Sequence, residues 1–230
     1  MKNFTAIKEA IAFIRGKFCL GCRMFQQPNN TSTTIWITCG IPGTGKSTIA
    51  RLLHKAYSPL YSKVISRDMI RSELIQEFNQ ITDEEVKKQQ LKMMDDFVSS
   101  LVIKQIHHLI CNTKKEDRCA AIIIDGCHTN YMTLLELLLT LNQLQDQVLI
   151  NLLVVGDEDS ICCTSVNHKR DGDYSDYGPN GLHKAVPKII IDRKRKEFHE
   201  LIRHRSKDIF KLIDGLYCVP DAFNRLHYVK

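Results

Sequence analysis

The fold of this chain is decided by one stretch of sequence, IWITCGIPGTGKS, which occupies residues 35–47. Its first part, residues 35–39, is a short apolar run typical of a buried strand. Residues 40–47 fit the pattern GxxxxGK[S/T] in full, and apolar residues at helical spacing follow in 49–56. Because a strand, this glycine-rich turn and a helix follow one another, the stretch predicts a loop that binds phosphate groups.

The residue types of this loop suit a nucleoside triphosphate and its metal ion. Glycines let the backbone approach an anion closely, so that N–H groups and the N-terminus of the following helix point at the phosphates. Lys46 is predicted to reach the β- and γ-phosphates, and the hydroxyl of Ser47 to ligate Mg²⁺. The predicted donor-binding residues are Gly40, Gly43, Thr44, Gly45, Lys46, Ser47 and Thr48. Such a loop serves hydrolysis, phosphoryl transfer and mechanical work alike, so the reaction depends on the rest of the site.

Further short apolar runs alternate with helical patterns along the chain. The predicted strands are residues 35–39, 64–66, 121–125 and 148–155. Strands that alternate with helices predict an α/β fold, in which a parallel sheet is flanked by helices on both faces. In such folds ligands bind at the carboxyl ends of the strands, so the polar residues that follow each strand are the candidates for chemistry.

Several helices are predicted around this sheet. Apolar spacing predicts one helix over residues 4–18 and another over residues 134–144. Thr82 and Glu85 form a capping box, which predicts the start of a single long amphipathic helix. A basic amphipathic helix is predicted from Pro187 onward. Its predicted inner stripe consists of Ile191, Phe198, Leu201, Ile202 and Ile209.

Length and charge narrow the class of protein. The chain has 230 residues, 43% of them hydrophobic, which is enough to fill a core. It has no run of about 18 uninterrupted apolar residues and no secretory signal, so we expect no membrane partner. The net charge is +6, and residues 188–207 contain eight lysines and arginines against three acidic residues. A polyanionic partner is one explanation for this asymmetry, and a solvated helix face is the other.

The cysteines indicate a reducing compartment. There are nine, an odd number, and Cys19 and Cys22 form a lone CxxC without a second pair at the spacing of a zinc site. We interpret them as reduced thiols of a cytoplasmic protein. A structural zinc ion on Cys19 and Cys22 is the alternative.

A candidate acceptor site follows the second predicted strand. Residues 66–71, SRDMIR, place one carboxylate and two guanidinium groups near a strand end. A kinase needs a carboxylate to accept the proton of the acceptor hydroxyl, and the fork of an arginine suits an acceptor phosphate. The alternative is structural: Asp68 lies in the first turn of a helix and Arg71 is its surface partner.

Two other strand ends carry polar candidates. Asp125 stands at a position typical of the carboxylate that holds the water shell of a metal ion, and the alternative is a cap of the next turn. His128 is either a second base or a hydrogen-bonded loop residue. After the fourth strand, residues 157–170 end in Arg170, which a mobile lid would offer to the transferred phosphate.

These segments together resemble the kinase domain of phage-type polynucleotide 5′-kinases. That family has a GxPGxGKS loop, a strand that ends in (N/S)RDxxR, and a lid with an asparagine and an arginine that is followed by KAVP. The matching positions are residues 40–47, residues 66–71, Asp157, Asn167, Arg170 and residues 184–187. The resemblance covers residues 35–205 and implies a P-loop kinase fold with an arginine-bearing lid.

The resemblance also implies roles for single residues. Asp68 resembles the general base, Arg71 the clamp on the 3′-phosphate of the acceptor, and Arg170 the arginine that stabilises the transition state. The implied catalytic residues are Asp68, Lys46 and Arg170. The expected acceptor-binding residues are Arg71, Arg67, Asp125 and His128. The expected Mg²⁺ ligands, acting through water, are Ser47 and Asp125.

The sequence departs from that family at three places. Val166 stands where an arginine often precedes the lid asparagine, and residues 171–180 lengthen the lid. The Asp-Thr-Asn run after the third strand is replaced by residues 125–128, DGCH.

We therefore expect a polynucleotide 5′-hydroxyl kinase that moves the γ-phosphate of ATP, or of another nucleoside triphosphate, onto a 5′-OH end of DNA or RNA. Its expected setting is nucleic-acid repair in the cytoplasm, including that of a virus-infected host cell. One alternative is a P-loop kinase of a small-molecule acceptor, such as a nucleoside, sugar, antibiotic or nucleotide sugar. A nucleotide-gated regulatory ATPase is another. The expected organisation is a helical extension over residues 1–34, a kinase domain over 35–207 and a C-terminal extension over 208–230.

Overall fold

Strands and helices alternate along the chain in a computed structural model that describes residues 32–57, 62–111, 119–144, 148–156 and 186–219. In chain order the elements are β1 (Thr33–Cys39), α1 (Lys46–Tyr57), β2 (Ser62–Ser66), α2 (Arg67–Phe78), α3 (Glu84–Lys92), α4 (Met94–Cys111), β3 (Ala121–Asp125), α5 (Tyr131–Asn142), β4 (Val148–Val155), α6 (Lys188–Glu200), α7 (Ser206–Phe210) and β5 (Gly215–Val219).

The strands form one parallel sheet in the order β2-β3-β1-β4-β5. β1 is central, and its Trp36 pairs with Ile123 of β3 on one side and with Asn151 of β4 on the other. The near-continuous apolar sequences of β1, β3 and β4 fit strands that are covered on both faces. The predicted α/β fold with a parallel sheet is confirmed.

Successive side chains of β1 enter two different cores. Ile35 and Ile37 belong to the larger core, where α2, α4, α5 and α6 bury their apolar stripes. Trp36 belongs to a smaller core on the opposite face, where α1 contributes Ile49 and Leu53. The sheet therefore has helices on both faces, and the two faces differ in how many described helices cover them.

After β1 the chain continues on one face of the sheet, and after β3 it continues on the opposite face. α1 follows β1 and packs in the smaller core, whereas α5 follows β3 and packs in the larger one. Because β1 and β3 are neighbours and the helices after them lie on opposite faces, the topology predicts a crevice at the carboxyl ends of the two strands. Residues 40–45 lie on one side of this crevice, and residues 126–130 lie on the other.

The prediction of one long helix from Thr82 is wrong. The chain forms two helices, α3 and α4, that meet at Met93. α3 buries none of its side chains, whereas α4 buries a full stripe, and this difference explains why the two do not continue as one helix. The cap is Asp83 rather than Thr82, since its Oδ1 accepts hydrogen bonds of 3.0 and 3.1 Å from two backbone N–H groups of the first turn.

The predicted basic helix forms, but its inner stripe differs by one residue. Leu201 and Ile209 are buried as predicted, whereas Ile202 is 41% exposed. Residues Leu201–Arg205 form a π-helical turn between α6 and α7. This wider turn rotates the following residues relative to a regular α-helix, so the 3.6-residue period misplaced Ile202.

The sheet continues beyond the predicted kinase domain. β5, which lies within the predicted extension over residues 208–230, pairs with β4 along its whole length. The proposed domain boundaries stay predictions, although the boundary at residue 207 would separate β5 from the sheet that it completes. The predicted helix over residues 4–18 and the lid with Arg170 lie outside the described residues. No helix in the described part of the chain has the length and apolar character needed to cross a membrane.

Candidate functional site

The phosphate loop can bend tightly because of its glycines. The φ angles are 89° at Gly43 and 93° at Gly45, a region of conformation that favours glycine. A Cβ at Gly40 would lie 2.4 Å from the carbonyl oxygen of Val155. The loop therefore packs directly against the end of β4, and the first glycine of the motif is required by this close approach.

Lys46 begins α1 and lies inside the loop, with only 7% of its surface exposed. Its Nζ donates a 2.6 Å hydrogen bond to the carbonyl oxygen of Ile41, which also accepts a 3.1 Å bond from Thr44 Oγ1. The ammonium group is thus placed beside the N-terminus of α1, where N–H groups and the helix dipole favour an anion. The structure brings the predicted donor residues together around this helix end.

Asp125 ends β3 beside the phosphate loop and is buried. Burial raises the pKa of this carboxyl group, and a hydrogen bond from Ser47 together with the charge of Lys46 partly offsets that effect. Ser47 and Asp125 offer adjacent oxygen atoms, the ligand type that Mg²⁺ prefers. The described residues contain no group of three or more His, Cys, Asp or Glu side chains arranged for a metal ion. A Mg²⁺ ion held by this pair would take its other ligands from phosphates and water.

The loop after β3 is attached to the end of β1 by a set of hydrogen bonds. Thr38 Oγ1 donates to the carbonyl oxygen of Gly126 at 3.0 Å and accepts from its N–H at 3.1 Å. The backbone N–H of Gly40 donates to the carbonyl oxygen of Cys127 at 2.9 Å, and the thiol of Cys39 donates to that of His128 at 3.3 Å. The two sides of the crevice are therefore held in one arrangement.

His128 is a buried, neutral member of this loop. Its φ of 44° is the one positive value at a non-glycine position among the described residues. Nδ1 lies 2.7 Å from the carbonyl oxygen of Thr38, so Nδ1 carries the proton, and Nε2 is buried without a hydrogen-bond partner. Burial, with the charges of Arg67 and Lys46 nearby, lowers the pKa of this imidazole to about 3. A group that stays neutral at physiological pH is a hydrogen-bond acceptor and not an efficient base. Its expected contact with an acceptor stays a prediction.

The acceptor candidates lie at the start of α2, directly after β2. Ser66 caps the helix, because its Oγ accepts from the N–H of Met69. Arg67 is buried, whereas the side chain of Asp68 is 65% exposed. Arg71 Nη1 donates to Asp68 Oδ1 at 2.8 Å. The geometry therefore fits both interpretations of this segment. Asp68 is a carboxylate in the first turn of a helix with Arg71 as its surface partner, and it also lies at the end of a strand.

A second carboxylate, from α4, completes the arrangement around Arg71. Arg71 Nη2 donates to Asp95 Oδ1 at 2.7 Å, and Arg67 Nη2 donates to Ser99 Oγ at 3.2 Å. Partial desolvation of the otherwise exposed Asp95 would raise its pKa, but the hydrogen bond and charge of Arg71 outweigh this, so the pKa is lowered. Sequence reasoning missed Asp95 and Ser99, because no motif marks them and they lie 24 and 32 residues from their arginine partners.

The basic helix α6 lies against the loop after β3. Glu197 Oε2 accepts a 2.9 Å hydrogen bond from Thr129 and a 2.8 Å bond from Lys194. Lys194 also acts electrostatically on Asp95, so the helix borders the acceptor side. Arg193 and Lys196 of this helix are exposed. No feature of the sequence predicts the contact between Glu197 and Thr129.

The donor and acceptor sides also act on each other electrostatically. Asp68 contributes to the raised pKa of Asp125, whose carboxylate in turn accepts from Ser47 of the phosphate loop. The predicted site residues that the structure describes therefore lie around one crevice, and Arg170 alone of the predicted catalytic residues lies outside the described part of the chain.

Comparison with known families gives one match. A family model described as an AAA domain matches residues 30–161, which include the phosphate loop, the acceptor segment and β3. No curated protein matches the chain.

Solved structures resemble this chain at low sequence identity. The structure of the PezAT chromosomal toxin–antitoxin system of Streptococcus pneumoniae is 14% identical, has a TM-score of 0.51, and the match covers 94% of this chain and 77% of that one. A candidate kinase from Chloroflexus aurantiacus is 13% identical with a TM-score of 0.48, and the match covers 84% of this chain and 87% of that one. Kti12 of Chaetomium thermophilum in complex with ADP-AlF3 is 13% identical with a TM-score of 0.49, covering 81% and 88%.

Proposed function

This chain belongs to the AAA domain family, and on that premise we propose that it is a Mg²⁺-dependent kinase that transfers the γ-phosphate of ATP, or of another nucleoside triphosphate, to a 5′-hydroxyl end of DNA or RNA. One observation carries the proposal. A carboxylate–arginine pair, Asp68 with Arg71, follows the carboxyl end of β2, at the same edge of the parallel sheet as the phosphate loop after β1 and Asp125 at the end of β3. An ATPase that only hydrolyses nucleotide has no need of a phosphate-binding arginine at that place.

The donor side binds and orients the triphosphate. The N–H groups of the loop and the N-terminus of α1 surround the phosphates, and Lys46 neutralises charge that develops on the β- and γ-phosphates. Ser47 and Asp125 would hold Mg²⁺, which supplies further charge neutralisation when it is bound. Arg170, from the lid segment, is proposed to contact the same phosphates.

The acceptor side supplies the nucleophile. Asp68 accepts the proton of the 5′-hydroxyl as the hydroxyl oxygen forms a bond to the γ-phosphorus and the bond from that phosphorus to the β-phosphate oxygen breaks. The fork of Arg71 suits the phosphate next to the acceptor hydroxyl, because a guanidinium group binds a phosphate through two parallel hydrogen bonds. Arg67 and His128 are proposed to line the same acceptor pocket.

The basic surface of α6 supports a polymeric acceptor. Arg193 and Lys196 of α6 are exposed, and so is Arg203 in the π-helical turn that follows it. Exposed cations in a row suit the backbone of a nucleic acid, whereas a small acceptor would not reach them.

A transfer assay tests the proposal. The protein is incubated with Mg²⁺, γ-labelled ATP, and oligonucleotides that end in 5′-OH or in 5′-phosphate, as DNA and as RNA. We expect label on the 5′-OH strands only. Absence of label from every 5′-OH strand would refute the polynucleotide proposal, and label on a nucleoside, a sugar or a nucleotide sugar instead would support the small-molecule kinase. Nucleotide hydrolysis without any transfer would support the regulatory ATPase.

Variants of α2 test the assigned base. We expect Asp68→Ala and Asp68→Asn each to lower the transfer rate by about 10²-fold or more, since the proton then lacks its acceptor. Glu73→Ala, an exposed carboxylate on the same helix, is the control and should transfer at the wild-type rate. Near wild-type turnover of Asp68→Asn with an intact fold would exclude Asp68 as the base.

A further inference from the structure

Both arginines of α2 are bound by the first turns of α4. Arg71 Nη2 donates to Asp95 Oδ1 at 2.7 Å, and Arg67 Nη2 donates to Ser99 Oγ at 3.2 Å. Ser99 Oγ in turn donates to the backbone carbonyl oxygen of Asp95 at 2.8 Å. The four residues therefore form one connected network between two helices, and α2 and α4 also pack against each other through the larger core.

The guanidinium group of Arg71 lies between two carboxylates. Nη1 contacts Asp68 and Nη2 contacts Asp95, so rotation of the group about its Cδ–Nε bond would break one contact or both. An arginine side chain loses much rotamer freedom on ordering, and a second charged acceptor offsets that cost. Asp68 has no described hydrogen-bond donor other than Arg71, so the position of its carboxylate depends on that of the arginine.

We propose that Asp95 is a positioning residue that fixes the Arg71 guanidinium against Asp68 and thereby sets the place of the base and of the acceptor clamp. This rests on the roles given to Asp68 and Arg71 in the proposed function. Asp95 holds Arg71, and Arg71 in turn orients Asp68. A reacting group is thus oriented by a partner that a third residue holds in place. Ser99 performs the corresponding function for Arg67.

The neighbour of Asp95 provides a matched control. Asp96 lies in the same turn of α4, is also exposed and carries the same charge. If only the negative charge near the arginines mattered, replacing either aspartate would have the same effect. The proposed contact, in contrast, depends on Asp95.

Two measurements on the full chain test the proposal. The first follows the Nε–Hε signal of Arg71 by ¹⁵N relaxation. We expect a lower order parameter in Asp95→Ala, a smaller decrease in Asp95→Asn because an amide oxygen still accepts a hydrogen bond, and no change in Asp96→Ala. An unchanged order parameter in Asp95→Ala would overturn the proposal.

The second measurement is a double-mutant cycle in the transfer assay. We expect Asp95→Ala to lower kcat by about 10-fold, within the range of couplings between contacting residues, and to leave the KM for ATP and the Tm unchanged. In the Arg71→Ala background the same change should have no further effect. Losses that multiply in the double variant would show that Asp95 does not act through Arg71. If the wild-type protein transfers no phosphate to any acceptor, the proposed function fails, and the relaxation measurement still decides whether Asp95 fixes Arg71.

Discussion

The phosphate loop buries its lysine, whereas the acceptor side leaves both of its carboxylates largely in solvent. Lys46 is 7% exposed, but the side chains of Asp68 and Asp95 are 65% and 71% exposed. The loop consists of consecutive residues that one turn and one helix end hold in place. The acceptor side takes Asp68 and Arg71 from α2 and Asp95 from α4.

This difference shows which side of the crevice tolerates change. Ion pairs in solvent contribute little to stability, about 0–1 kcal/mol each, so the acceptor network holds geometry rather than the fold. The donor loop is packed against β4 and cannot shift without disturbing the sheet. We therefore expect changes in the loop to affect every reaction of the protein and many of them to affect folding. Changes on the acceptor side should affect only the transfer to the acceptor.

The largest expected effect is that of Lys46→Ala. Transfer and any hydrolysis of ATP should both fall by about 10²–10³-fold, because a buried cation at the developing charge is lost. Lys55→Ala, an exposed lysine of the same helix, should retain both activities. Steady-state kinetics with and without an acceptor measures both rates. If Lys46→Ala lost transfer alone, the division into a donor side and an acceptor side would be incorrect.

Two glycine variants compare the phosphate loop with the loop after β3 by their effects on the free energy of unfolding. Gly40→Ala should lower the free energy of unfolding by about 3 kcal/mol, because the new Cβ would meet the backbone oxygen of Val155. Gly126→Ala should cost about 2 kcal/mol, since the new Cβ would meet side-chain atoms of Arg67 and His128, which can shift more than the backbone can. Denaturant titration of both variants checks the order. A larger loss for Gly126→Ala would mean that the loop after β3 is the more tightly packed side.

The smallest expected effect on stability concerns Asp125 and pH. Its folded-state pKa is raised above the unfolded value, chiefly by burial, so the carboxyl group favours folding below its unfolded pKa and this contribution is lost as pH rises through the folded pKa. We expect Asp125→Asn to be more stable than the wild type at neutral pH and to lose that advantage in acid. Its transfer activity should be strongly reduced. Chemical denaturation at several pH values measures the difference, and a variant less stable at neutral pH would contradict the assignment.

Much of the donor side could be predicted because its determinants are adjacent in sequence. The apolar run before Gly40, the motif itself and the helical spacing after it lie within about one strand, one turn and one helix. Asp125 was also predictable, since it ends an apolar strand at the expected edge of the sheet. The break at Met93 was not, because it depends on which helix finds a core to pack against, and α3 finds none.

The acceptor side could be predicted only in part. Asp68 and Arg71 share one helix turn and are visible in the sequence, but the sequence left open whether they form a surface pair or a site. The contacts of Asp95, Ser99 and Glu197 could not be inferred, because hydrogen bonds between distant residues depend on how helices pack.

The sequence by itself determined a parallel α/β sheet with a phosphate loop at the carboxyl end of its central strand, because a local motif and apolar periodicity suffice to specify both. The tertiary structure alone decided that the acceptor arginines are held by α4, that His128 is a neutral buried group, and that β5 completes the sheet. Those features come from the burial and pairing of residues far apart in the chain, and such contacts form only when the helices have packed on the sheet.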